Sequence, residues 1–157
     1  MLLQIEQIQV QLGLGHADGV TQDYKEAVER YNTAAEQGNA AAQNNLGLCY
    51  QYGYGVTQNY AKAVEWYTKA AERGDVAALF NLGRCYESGY GVDHDYKKAV
   101  EWFTRAAKQG NAEAKLKLAQ YYEKGHGVTQ DDKKAVEWFT SAAEQGHAEA
   151  QFQLGLI

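Results

Sequence analysis

The chain has 157 residues, 45% of them hydrophobic and 22% charged, with a formal net charge of −5, values ordinary for a globular protein long enough to bury a core. An acidic balance supplies no basic stripe for nucleic acid, and no apolar run approaches the length needed to insert into a membrane. The two cysteines, Cys49 and Cys85, stand 36 residues apart. That is the period of the repeat described below, so they hold the same place in adjacent copies, where helices about 8–10 Å apart leave no room for a disulfide; both are expected to be free core thiols.

Taken in order, the chain opens with residues 1–12, MLLQIEQIQVQL. They have no basic segment and are broken by Gln and Glu, so they do not read as a signal peptide, and a cytoplasmic setting is the expectation. Ile5, Ile8 and Leu12 fall on one helical face if Leu12-Gly13-Leu14 is aligned with the later Leu46-Gly47-Leu48. Residues 23–38 then read DYKEAVERYNTAAEQG, and the same pattern returns at 59–74, 95–110 and 131–146, a step of 36 residues each time. A fixed period of this size marks a stacked repeat array, because one copy is too small to bury its own apolar face.

The first complete copy, residues 39–74, shows the design. Ala42, Leu46, Cys49 and Tyr50 line one face of a first helix, helix A, which Gly53 and Gly55 stop. After a six-residue turn Asn59 caps helix B, a role assigned to Asp23, Asp95 and Asp131 in the other copies. Ala63, Trp66, Tyr67 and Ala70 form its buried stripe, and Gly74 alone hinges the chain into the next copy. Residues 75–110 repeat this with Ala78, Leu82, Cys85 and Tyr86, then Ala99, Trp102, Phe103 and Ala106. Residues 111–146 follow with Ala114, Leu118, Tyr121 and Tyr122, then Ala135, Trp138, Phe139 and Ala142. Gly47, Gly83 and Ala119 are small where helices must approach closely. The ends depart from the pattern: residues 1–38 form a degenerate first repeat with Arg30 where later copies have Trp, and 147–157 begin a further helix A ending in Leu154-Gly155. The expected domain is a single all-α solenoid of 36-residue helix-turn-helix repeats.

Leu46-Gly47, the turn Gly53-Tyr54-Gly55-Val56, and Lys62-Ala63-Val64-Glu65-Trp66-Tyr67 with Lys69-Ala70-Ala71 resemble the Sel-one-like repeat (SLR) family, relatives of the tetratricopeptide repeat with a longer period. The resemblance covers essentially the whole chain. It implies a right-handed α/α superhelix that binds other proteins as an adaptor. One branch of the family pairs cysteines within each repeat, and this sequence lacks that pairing.

In such arrays helix A lines a concave groove, so the candidate partner-binding positions are those on helix A opposite its core face. They change between copies while the core does not: Asn44, Phe80 and Leu116; Asn45, Asn81 and Lys117; Leu48, Arg84 and Gln120; Gln51, Glu87 and Glu123. Amides can bond the backbone of an extended peptide while Phe80, Leu116 and Leu48 offer apolar contact. Packing between neighbouring A helices is the other reading of Phe80, Leu116 and Phe152.

No catalytic, cofactor or metal residue is assigned. The Gly-x-Gly turns (Gly53/Gly55, Gly89/Gly91, Gly125/Gly127) follow no strand and lack the third glycine of a dinucleotide fingerprint. His16, His94, His126 and His147 lack a second ligand at helical spacing. Two roles are expected, then: a scaffold holding a protein or peptide segment in the groove, or an assembly module that stacks, or self-associates, through its last helix.

Overall fold

A computed structural model describes residues 20–155, with side chains from Gln22 onward. Ile5, Ile8, Leu12, Gly13, Leu14 and His16, all used above, lie outside the described residues. Within them the secondary structure is entirely helical: α1 (Val20–Glu36), α2 (Ala40–Tyr52), α3 (Tyr60–Glu72), α4 (Val76–Ser88), α5 (Tyr96–Lys108), α6 (Ala112–Lys124), α7 (Asp132–Glu144) and α8 (Ala148–Gly155). The chain divides into two compact units, Met1–Asp75 and Val76–Ile157. In the first, α2 packs against α1 and α3; in the second, each of α4 to α7 packs against the next in sequence.

Local chemistry sets the helix ends. Asn39 and Asn111 cap helices A, accepting from the amides of Ala42 and Ala114 at 2.9 and 2.8 Å. Asn59, Asp95 and Asp131 cap helices B at 3.0–3.1 Å from the amides three residues on. Each bond satisfies a donor that the first helical turn leaves without a partner. Asp23 departs from its assigned role: α1 begins at Val20, and Asp23 lies inside its first turn. There a carboxylate still suits the positive end of the helix dipole.

The helices also stop by rule. Gly53 takes the left-handed conformation at φ 71° and returns its amide to the Cys49 carbonyl. The link between repeats is longer than one glycine. Arg73 ends α3, Gly74 turns left-handed at φ 86°, and the amides of Gly74 and Asp75 bond the carbonyls of Ala71 and Ala70 at 2.9 and 3.1 Å. This six-to-one, five-to-two pair closes the open carbonyls of the last turn, and it recurs at Gly38, Gly110 and Gly146.

The core of each repeat is one aromatic ring of helix B laid on a small residue of helix A. Tyr67 and Phe103 are fully buried; a Cβ added at Gly47 would meet the Tyr67 ring at 2.4 Å, and one at Gly83 the Phe103 ring at 2.5 Å. In the third copy Phe139 shares a buried cluster with Ala119. Leu46, Leu82 and Leu118 close the same layer with at most 1% exposure. The neighbouring tryptophans do not enter it as expected. Trp66 and Trp138 are half-buried against the edge of their clusters, and Trp102 is also half-buried. Lys69 lies 4.4 Å over Trp66 and Arg105 4.9 Å over Trp102, so these indoles face outward beneath a cation. Both cysteines are free and buried.

Candidate functional site

The face of helix A opposite its core stripe is narrower than the sequence implies. Asn44, Gln51 and Leu116 are buried, which corrects their placement on an open face. A helix inside a stack is flanked by the preceding helix B on one side and its own helix B on the other, so little of its circumference stays in water. Leu116, at 7% exposure, belongs to the cluster with Ala119, Ala135, Phe139, Ala142 and Ala150. Packing, the alternative reading, is what the structure shows for it. Phe80 is half-buried, with its ring centroid 5.5 Å from that of Phe103. Gln51 accepts from the Tyr67 hydroxyl at 2.6 Å through its side chain, and its carbonyl accepts from Gln58 at 2.8 Å.

The remaining positions reach the surface at least in part. In the first unit these are Asn45 and Leu48, half-buried on α2, with Asn45 hydrogen-bonded to Tyr31. In the second unit Asn81, Arg84 and Glu87 on α4 and Lys117 and Gln120 on α6 are half-buried, and Glu123 is exposed. Two interactions tie α4 to α6. Lys117 Nζ donates to Glu87 Oε1 at 2.9 Å, and the Tyr121 hydroxyl donates to Glu87 Oε2. Burial first, then the adjacent Glu87 carboxylate, pushes the Tyr121 hydroxyl well above the ordinary tyrosine range, so it remains a donor. The pair brings the polar groups of α4 and α6 onto one surface.

Tyr121 was assigned only to the core, and the signal that could have revealed its second role lies in the repeat itself. Where the first unit has the bonded pair Gln51 and Tyr67, the next copy has Glu87 and Phe103. Phe103 has no hydroxyl to offer, and Tyr121, standing where earlier copies have cysteine, supplies one from the following repeat.

Aromatic stacks on the turns were also not foreseen. Tyr24 stacks on Tyr54 at 4.6 Å and Tyr96 on His126 at 4.7 Å. The second turn glycine makes room for this: a Cβ at Gly55 would meet the Tyr24 carbonyl at 2.5 Å, and one at Gly127 the Tyr96 backbone at 2.6 Å. His94 meets Tyr96 edge-on at 4.5 Å. His147 Nδ1 accepts from the Ala150 amide at 3.3 Å, leaving Nε2 to donate to Glu113 at 2.6 Å. A shallow cavity of about 340 Å³ in the first unit is lined by Lys25, Gly53, Gly55, Val56 and Thr57.

Among the described residues no group of His, Cys, Asp and Glu is clustered as a metal ion requires, and no helix is long and apolar enough to cross a membrane. Burial pushes both cysteine thiols up to about 12, far from the thiolate that nucleophilic chemistry requires.

The family model for the Sel1 repeat matches residues 9–39, 40–75, 76–111 and 112–147. A Sel1 repeat protein from Oxalobacter formigenes is 39% identical, with a TM-score of 0.80 over 83% of this chain and 54% of that one. A protective antigen present in uropathogenic Escherichia coli strains, displaying an SLR fold, is 40% identical, with a TM-score of 0.84 over 96% of this chain and 33% of that one. The chain thus spans about half the length of the first and a third of the second. The cysteine-rich protein B of Helicobacter pylori matches at 26% identity and TM-score 0.67, over 89% of this chain and 100% of that one. No curated protein matches in sequence. With four matched repeats and an all-helical fold shared with SLR structures, the chain is an all-α solenoid that belongs to the Sel1 repeat family, whose members are generally scaffolds for protein interaction.

Proposed function

We propose that the chain is a non-catalytic adaptor that holds an extended segment of a partner protein against the A helices of its repeats. The observation that carries this reading is the contrast between neighbouring positions on α4 and α6. Leu82 and Leu118, buried, are the same residue in both copies, whereas Arg84 becomes Gln120 and Asn81 becomes Lys117 at the half-buried places beside them. The buried layer holds the helices in register, and side chains that do no such packing are free to differ.

The chemistry of that surface suits a peptide backbone with mixed side chains. Amides and a guanidinium can bond carbonyls, the Glu87 and Glu123 carboxylates can accept amides or pair with basic groups, and the Phe80 ring gives apolar contact. Leu116 supplies none of this, because it is covered.

A displayed library of random peptides, selected on the full chain and measured by calorimetry, tests the reading. Selected peptides should lose about tenfold or more in affinity for a chain carrying Arg84→Glu and Gln120→Glu with an unchanged thermal midpoint. Equal binding to that variant would remove this surface from the proposal.

A further inference from the structure

Among the described residues, the side-chain oxygen of Gln43 is buried without a hydrogen-bond partner. Gln43 is 4% exposed, and its Nε2 donates to the Ala35 carbonyl at 3.1 Å. The residue is thus pinned in the seam between α1 and α2 with Oε1 shut away from water. The other copies avoid this. Leu79, at the same register position, is fully buried and has no polar side-chain atom. Lys115 is half-buried, on a chain long enough to reach water. Gln151 makes the same bond, to the Ala143 carbonyl at 3.2 Å, but is exposed. An amide oxygen stripped of water and left without a partner weakens the packed state against any state that wets it, by about ten- to a hundredfold in the equilibrium.

We infer that α1 is a lid on α2: it opens as a unit about Gly38 while α2 and α3 stay packed, and Gln43 sets how often it does so. When Gln43 lets go, its own oxygen is wetted, and the Ala35 carbonyl keeps the Gly38 amide at 3.0 Å. Asn39 caps α2 from within the linker, accepting from the Ala42 amide at 2.9 Å, so α2 holds its first turn without α1. α2 is also keyed to α3 independently, by the Tyr67 ring against Gly47 and by the Tyr67 hydroxyl donating to Gln51 at 2.6 Å. Opening uncovers Ala42, Leu46 and Cys49, which are clustered with Val28 and Ala35 of α1. It also parts Asn45 from Tyr31. A candidate partner-binding position is therefore held by the lid when closed and released when open. The motion is read on the chain alone, so it stands or falls separately from peptide recognition.

Cys49 lies under the lid, and Cys85 holds the same place in the copy that carries Leu79. Slow thiol labelling of the full chain without denaturant, mapped by mass spectrometry, therefore reads the lid against an internal reference. Cys49 should label about tenfold faster than Cys85, or more, and amide exchange should show α1 opening as a block ahead of α3. Gln43→Leu, which copies the neighbouring repeat, should slow Cys49 by about tenfold and leave Cys85 unchanged. Gln43→Met, which keeps the length of the side chain without its acceptor, gives the same reading if leucine disturbs the fold. Gln151→Leu, at the exposed counterpart, should move neither thiol. Equal labelling of the two cysteines overturns the inference. So does a Gln43→Leu chain whose Cys49 rate is unchanged, which would mean that a buried water satisfies Oε1. Equal slowing of both thiols also overturns it, since the chain would then open only as a whole.

Discussion

The carboxylate of Glu87 and the hydroxyl of Tyr121 are 34 residues apart in sequence and bonded in the fold. Tyr121 is 5% exposed, so its hydroxyl has little water to turn to if the carboxylate is removed. Glu87→Ala should cost about 1–3 kcal/mol, the desolvation penalty of a buried polar group left without a partner. Tyr121→Phe should cost less, because Glu87 keeps Lys117 and partial contact with solvent. Urea titrations of the two variants compare them, and the reverse order would show that the hydroxyl finds another acceptor.

Between the paired aromatics of helix B, the second carries the stability. Phe103→Ala empties a fully buried site and should cost about 3–5 kcal/mol. Trp102→Ala, although it removes more atoms, should cost clearly less, since the indole is half-buried under Arg105. Denaturation midpoints of the two variants measure the difference. A larger loss at Trp102 would mean that the indole, not the phenyl ring, keys the repeat.

Glycine on helix A is a packing residue. Gly83→Ala gains about 1 kcal/mol of helix propensity, but its Cβ would overlap the Phe103 ring at 2.5 Å. Overpacking costs about 1–3 kcal/mol, so the expected net effect is a lower melting temperature. Gly155→Ala, with open space around it, should be neutral or raise it. Calorimetric scans of both variants decide the signs.

The thiols of Cys49 and Cys85 should resist alkylation at pH 8 in the native state and react fully in denaturant. Burial pushes each up to about 12 from the ordinary 9, so the folded chain holds these protons more tightly than the unfolded one. Folding then favours the protonated state: the contribution is intact below pH 9 and is lost progressively as pH rises toward 12. Stability measured by denaturant between pH 8 and 11 should fall, and Cys49→Ala with Cys85→Ala should flatten that fall.

The amino-acid sequence by itself determined what depends on residues close together in the chain. The 36-residue step, the Asn59, Asp95 and Asp131 caps and the left-handed stop at Gly53 all rest on bonds within one or two turns. The small residue at Gly47 and Gly83 was likewise legible, because its spacing from the leucine beside it marks the core face. Only the tertiary structure decided which aromatic of each pair turns inward, since Trp102 and Phe103 are adjacent and equally apolar by pattern. It also decided that Asn44, Gln51 and Leu116 are covered. Helical periodicity assigns each residue a direction, but the width of the covered arc depends on how closely helices from other parts of the sequence approach. Glu87 and Tyr121 meet for the same reason: their contact is set by the stacking of one repeat on the next, which no local pattern encodes.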